Sequence, residues 1–266
     1  MNRTMSEMMT GNEVMEAVKR HHIAVKEKYG KGVVFTALVG SQNYGLAHNG
    51  SDIDTYTFVL PSIEDMAKIQ MPTSSQFNVE DGICSVKDLR VAMNLLAKTT
   101  PNSLEWFCSK YKVYEKEYQD LLEEFMNPML NDYVHASYKY MLEAVAGMIH
   151  QIGMRNMPEG KKYSHALRIR NLWNNFIQNK SPDSMLDFEK ADERLEAFAA
   201  KLDPEPEGKY LEKINKVDEE IKAIKSGFVM TPEMKARQEK SLAVVRDYQV
   251  RFLNKHLKGE LEHVQK

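Results

Sequence analysis

The chain has 266 residues, 42% of them hydrophobic and 28% charged, a formal charge of −2 at pH 7 and a mean hydropathy of −0.51. A chain this long buries most of the surface its unfolded form exposes, so it needs neither disulfides nor a structural metal to hold a core. No apolar run approaches the roughly 18 residues of a membrane span, and near-neutral charge excludes a surface coated in basic patches while leaving room for one local nucleic-acid groove.

The opening residues carry no apolar stretch of the kind a secretory signal needs. Cys84 and Cys108 have no metal-ligand spacing, so the reading is a cytoplasmic protein with two reduced, buried thiols. Residues 1–100 mix a helix with β-rich stretches. Val33-Val-Phe-Thr-Ala-Leu-Val39 predicts a buried strand between the turn Tyr29-Gly30-Lys31-Gly32 and Gly40-Ser41. Asp52 to Leu60 alternates as a second strand and stops at Pro61. Ser62, with Asp65 three residues on, reads as the N-cap of a short helix. Residues 76–86 form a hairpin or one irregular strand. From about Lys87 to the end the pattern is almost entirely helical. Val86, Leu89, Met93, Leu96 and Ala97 make a stripe that stops before Pro101, and Leu104, Trp106 and Phe107 begin the next apolar cluster. Helical periodicity covers 133–152 and 164–177, with a breaker run at 156–160 between them. Pro204-Glu-Pro206 reads as a linker, followed by charged helices over 208–225 and 231–258, the second starting at Thr231-Pro232. The methionines, 17 in all, read as flexible packing between helices, with Met93, Met141, Met148 and Met154 as examples.

One segment carries chemistry: Val39-Gly-Ser-Gln-Asn-Tyr-Gly-Leu-Ala-His-Asn-Gly-Ser-Asp-Ile-Asp54. On a strand, residues i and i+2 share a face, so Asp52 and Asp54 present two carboxylates to one spot while Ile53 enters the core. Two like charges so placed destabilise the fold unless a cation sits between them, and hard oxygen ligands suit Mg²⁺ or Mn²⁺. Gly40 lets backbone approach a ligand closely, and Ser41 adds a hydroxyl and an amide to cradle phosphate oxygens. Ser51 is either a turn residue or a phosphate contact. Tyr44 and Gly45 shape the connection, His48 sits in a solvated turn, and the adjacent His21 and His22 diverge on a helix.

This segment resembles the DNA polymerase β-like nucleotidyltransferase superfamily, whose signature is an apolar residue, Gly-Ser, about ten residues, then Asp-x-Asp. Thr55 stands where an apolar residue usually follows. Gly40-Ser41-x-x-Tyr44-Gly45-Leu46 with Ser51-Asp52-x-Asp54 looks like its predicted-nucleotidyltransferase branch, some members of which lie beside RNA ligases in bacteriophage RNA-repair clusters. Ser85-Val-Lys-Asp-Leu-Arg90, Pro101-Asn-Ser-Leu-Glu-Trp-Phe107 and Lys162-x-x-His165-Ala-x-Arg168 extend the likeness over about 33–170.

The resemblance implies an α+β fold, with a small mixed-sheet nucleotidyltransferase core over 1–125 and a mostly helical region over 126–266 that closes the cleft. It implies transfer of a nucleoside monophosphate from an NTP to an acceptor hydroxyl, favouring an RNA or tRNA 3′ end, with two divalent ions held by Asp52 and Asp54. Gly40, Ser41, Tyr44 and Ser51 then belong to the nucleotide site. The family supplies a third carboxylate from a neighbouring strand. Its expected position falls near Ile83, so Asp81 is the choice for catalytic and metal-binding residue, with Glu80 if the register slips and Asp88 a remote third. Residues 138–180 hold seven Lys or Arg against two acids. There Lys162, His165 and Arg168 read as triphosphate or RNA-backbone contacts, while Lys161 and Arg170 read as solvated surface. Against the enzyme stands a non-catalytic nucleotide-binding or antitoxin-like protein, or an enzyme that modifies a protein or small molecule. Oligomeric state and phage or cellular source stay open; a phage protein would act in the host cytoplasm.

Overall fold

The structure, a computed structural model, describes residues 9–68, 75–204 and 208–264. Helix α1 (Gly11–Tyr29) is started by a capping box in which the Thr10 hydroxyl accepts the Glu13 amide and the Glu13 carboxylate accepts the Thr10 amide. It ends at Gly30, whose φ of 61° turns the chain toward strand β1 (Val33–Val39). Antiparallel to β1 runs β2 (Asp54–Val59), with Phe35 opposite Phe58 and Val39 opposite Asp54. The Ser62–Asp65 capping box opens the short helix α2 (Ile63–Ala67), as its spacing predicts. Of the two readings of 76–86, the hairpin holds: β3 (Ser75–Val79) pairs antiparallel with β4 (Gly82–Asp88). β4 then lies parallel to β2, with Cys84 beside Thr55.

A short strand, β5 (Lys112–Tyr114), adds to the free edge of β1 and completes a mixed sheet of order β3-β4-β2-β1-β5. This strand is the exception in a stretch that reads as almost entirely helical after Lys87. Three residues are too few to show a period, and β5 exists because β1 offers it an edge.

Alternation assigns the two faces. Leu38, Ile53, Val59, Cys84 and Val86 bury against α1. There the rings of His21 and His22 are buried too, hydrogen-bonded to Thr55 (2.8 Å) and Thr36 (2.9 Å) of the strands beneath. Cys84 is buried on this face and Cys108 lies elsewhere in the core; both are free thiols. The other face carries Phe35 and Phe58, stacked at 4.5 Å, under Trp106 and Phe107. Those two belong to α4 (Pro101–Cys108), which follows α3 (Leu89–Ala97). Val86, the first residue of the predicted helical stripe, belongs to β4; Leu89, Met93, Leu96 and Ala97 are buried in α3.

The same core continues without a break into α5 (Gln119–Asn131), α6 (Tyr138–Met154) and α7 (Glu159–Ile177). Next come α8 (Ala191–Leu202), α9 (Leu211–Gly227) and α10 (Pro232–Val264). The chain is thus α+β, a five-stranded mixed sheet followed by helices. Helix α7 starts inside the run expected to break it. Pro158 precedes its first turn, and Gly160 is helical because α8 crosses there: a Cβ at 160 would stand 2.0 Å from the Ala200 carbonyl oxygen. Of the predicted linker, 205 and 206 lie outside the described residues. Met93 and Met141 are fully buried and Met148 is partly so, but Met154 is 78% exposed and fills no gap.

Candidate active site

Past β1 the chain turns at Gly40, with φ of 85°, into a 3₁₀ turn over Ser41–Tyr44 that Gly45 ends in the left-handed region at φ 63°. A tight turn follows, in which the Ser51 amide donates to the His48 carbonyl and the Ser51 hydroxyl accepts the His48 amide, both at 2.9 Å. Ile53 then enters the α1 face, while Asp52 and Asp54 open onto a cleft of about 350 Å³ on the other. Burial raises the Asp54 pKa, the charge of Asp52 raises it further, and the Ile83 amide it accepts and Lys161 work against both. Among the described residues, neither aspartate has an ion-pair partner within 4.0 Å.

Helix α7 supplies the opposite wall with Lys161, Ser164, His165 and Arg168, and α8 adds Lys201. Lys201 Nζ donates to the Leu46 carbonyl at 3.0 Å. Burial and the neighbouring Lys161 and Arg168 lower its pKa to about 8, with Asp52 pulling the other way. Burial, then the cations Arg168, Lys161, Arg155 and Lys201, pushes His165 down to about 3, so its ring is neutral. Arg168 lies over the Tyr44 ring, 4.8 Å from its centroid. Behind them Glu105 of α4 is buried, accepting the Gly40 amide at 2.7 Å and a hydrogen bond from Asn43. Burial raises its pKa, and Arg168 and those two donors hold it down.

Residues 10–223 match the RlaP family, described as the RNA repair pathway DNA polymerase beta family. The chain belongs to this family. The match takes in the whole sheet, the Gly40-Ser41 turn, both aspartates, α7 and α8, and ends within α9. Among curated proteins no relative matches the chain. Membership in RlaP brings a nucleotidyltransferase-type role in RNA repair. Among the described residues, no helix is long and apolar enough to cross a membrane.

Of the residues singled out by the RlaP-like motifs, the cleft brings together Gly40, Ser41, Ser51, Asp52, Asp54, His165 and Arg168. Tyr44 does not line it. The ring is 4% exposed and forms the floor under Arg168. Lys162 does not line it either. Its Nζ donates to the Gly153 carbonyl at 3.0 Å, at the end of α6, and Lys161 takes the place expected for it. The physical reason is helical phase: 161, 165 and 168 fall at i, i+4 and i+7, whereas 162 and 168 are six apart. Lys161, read as solvated, therefore faces the site, as does His48. Arg170 turns away to Glu193 and Glu220. Lys201 and Glu105 carried no local signal, although Glu105 lies inside the Pro101–Phe107 motif.

The third carboxylate is the other correction. The β2–β4 register does set Ile83 beside Asp54, where the family position was counted. Asp81 precedes β4 and lies in the hairpin turn, so the two-residue alternation does not reach it. Its carboxylate is held by Arg20 of α1 at 2.6 Å, on the face opposite Asp54. Glu80 is exposed in the same turn, and Asp88 caps α3 and binds Arg90. Among the described residues, no third His, Cys, Asp or Glu gathers with Asp52 and Asp54. Two unpaired, mutually repelling carboxylates on one wall still fit a hard divalent cation, which keeps several waters and takes phosphate oxygens for the rest of its shell.

Proposed function

We propose that the protein transfers a nucleoside monophosphate from an NTP to an acceptor hydroxyl, with an RNA or tRNA 3′ end as acceptor. The observation that carries this reading is the charge pattern of the cleft: Asp52 and Asp54 face Lys161, Arg168 and Lys201 across about 350 Å³. A triphosphate with its cation complements that pattern from both walls. Asp52 and Asp54 would hold Mg²⁺ or Mn²⁺, which when bound acidifies the attacking hydroxyl and neutralises leaving-group charge.

The chain's own residues do the rest by positioning and charge. The Gly40-Ser41 turn lets backbone and the Ser41 hydroxyl reach the phosphates. Lys161, Arg168 and Lys201 neutralise the β- and γ-phosphates, and Arg168 is pre-aimed by Tyr44 beneath it and Glu105 behind it. Neutral His165 contributes a hydrogen bond and no charge. In the transfer, the acceptor oxygen bonds to the α-phosphorus, the bond to the bridging oxygen breaks, pyrophosphate leaves, and the hydroxyl proton passes to water. We place this work in the cytoplasm, or the host cytoplasm for a phage protein.

The test incubates the protein with each α-labelled NTP, Mg²⁺ or Mn²⁺, and separate pools of RNA, tRNA and protein. Label is expected on RNA and is lost in Asp52→Ala plus Asp54→Ala; transfer that survives the double change overturns the assignment. Independently of activity, Mg²⁺ is expected to raise the melting midpoint of the native protein and not of Asp52→Asn plus Asp54→Asn. Ile83, standing beside Asp54 at the family's carboxylate position, favours the second reading of a non-catalytic nucleotide-binding protein. NTP binding with no transfer to any pool would support that one.

A further inference from the structure

The sheet face that bears Asp54 extends beyond the cleft. Alternation along β2 puts Tyr56 and Phe58 on that face, and the parallel register sets Ile83, Ser85 and Lys87 of β4 alongside them. Helix α4 covers the β1 and β2 part, where Phe58 is buried under Trp106. Toward β3 the cover stops: Ile83 is 37% exposed although apolar, and Gln76 and Asn78 on β3 are exposed as well.

Lys87 is the unusual group on this strip. Its Nζ lies 4.8 Å from the Trp106 ring centroid and 5.4 Å from that of Tyr56. Burial against them pushes its pKa down, and among the described residues no carboxylate lies within ion-pair distance of it. A partly desolvated ammonium with no anion of its own is ready to take one.

The direction of attack fixes what the strip is for. In phosphoryl transfer the attacking and leaving oxygens lie roughly in line, on opposite sides of phosphorus. The cations that complement a triphosphate, Lys161, Arg168 and Lys201, stand on the α7 and α8 wall. An acceptor therefore reaches Asp54 from the other side, which is β4.

We propose that Tyr56, Ile83 and Lys87 form the track on which the single-stranded 3′ end of an RNA acceptor lies, over the buried Ser85 between them. The proposal rests on the transfer reading above and adds the acceptor's path to it. Ile83 meets the apolar face of the terminal nucleoside beside Asp54, the half-buried Tyr56 ring offers a stacking surface, and Lys87 takes a backbone phosphate. From Ile83 to Lys87 is about 13 Å along the strand, so the track holds only the last few nucleotides. A protein acceptor would not bring an anion at a fixed distance from its hydroxyl, which is what Lys87 requires.

The test measures anisotropy of a labelled single-stranded oligoribonucleotide with a free 3′ hydroxyl, without NTP, on the native protein and on Lys87→Met. Methionine keeps the apolar stem on Trp106 and removes the charge. The change is expected to weaken affinity about five- to tenfold and to shrink the salt slope by about 0.7. The acceptor KM should rise by the same factor, with the NTP KM unchanged and the melting midpoint not lowered. Unchanged affinity, absence of RNA binding by the native protein, or a rise confined to the NTP KM each overturns the track. Transfer that ignores Lys87→Met, to RNA or to protein, sinks the track and leaves the transfer reading standing. Lys87-dependent RNA binding without transfer to any acceptor sinks the transfer reading and keeps the surface.

Discussion

The Gly40 amide donates to the Glu105 carboxylate at 2.7 Å, so a buried acid in α4 sets the turn that faces the cleft. Alanine at 105 leaves that amide without its acceptor and takes a charge away from Arg168. A stranded buried donor costs about 1–3 kcal/mol. Glu105→Ala is expected to lower the melting midpoint and to cut kcat/KM for NTP about tenfold or more. Glu105→Gln, which keeps an acceptor oxygen, should fall between it and the native protein. Native kcat/KM in Glu105→Ala would remove Glu105 from any positioning role.

Lys161 and Lys162 are neighbours in sequence and diverge in space, one toward the cleft and one to the Gly153 carbonyl. Lys161→Ala should raise the NTP KM about tenfold, the loss of one charge-assisted contact of about 1.4 kcal/mol. Lys162→Ala should change it less than about twofold and act instead on the end of α6. The reverse pattern would restore the Lys162 assignment that the motif suggested.

Lys201 gives the site a pH dependence. With a folded pKa of about 8, below that of a free lysine, the folded protein binds fewer protons than the unfolded chain above pH 8. This contribution to stability therefore rises with pH from about 8 to the ordinary lysine value, and below 8 the buried ammonium is a cost. The ammonium that meets the triphosphate is lost over the same range, so kcat/KM for NTP should decline above about pH 8. Lys201→Arg should move that decline to more alkaline pH. Lys201→Met should raise the melting midpoint at pH 7 and flatten its alkaline rise. A native kcat/KM flat to pH 10 would contradict this role.

His165, with its pKa at about 3, should show no imidazole titration between pH 5 and 8 in a ¹H–¹⁵N NMR series. His165→Asn, which keeps a hydrogen-bonding side chain and adds no charge, should retain most of the NTP affinity. An inflection near the ordinary histidine value would mean that the ring is better hydrated, and the cations around it farther away, than they stand here.

The legible parts of the chain were those whose meaning is local. Val33–Val39 reads as a strand because its own residues are β-branched and apolar, and Asp52 and Asp54 share a face because they are two residues apart on one strand. The Ser62–Asp65 box is complete within four residues. Lys201 carries no such local meaning: its helix reads as an ordinary amphipathic one, and it reaches the site through the packing of α8 on α7, closest where Gly160 meets Ala200. Choosing between Lys161 and Lys162 required the phase of α7, which a motif written as Lys-x-x-His does not carry. Asp81 is not on the face that counting by twos gives it, because the count assumes an unbroken strand and β4 begins at Gly82. β5 carries no local signal because its reason for existing is the unpaired edge of β1, some 75 residues earlier.

Helix α10 lies entirely beyond residue 223, where the family match stops. Yet Val245 and Phe252 are buried in the main core, the His256 ring hydrogen-bonds the Tyr118 hydroxyl at 2.9 Å, and Gln249 donates to the Arg90 carbonyl at 2.8 Å. During synthesis, then, the sheet-bearing half leaves the ribosome long before the helix that seals it. Until residues 245–256 emerge, the surfaces around Tyr118 and Phe125 stay wet and open to other chains, and a nascent protein of this kind depends on how quickly translation delivers its seal.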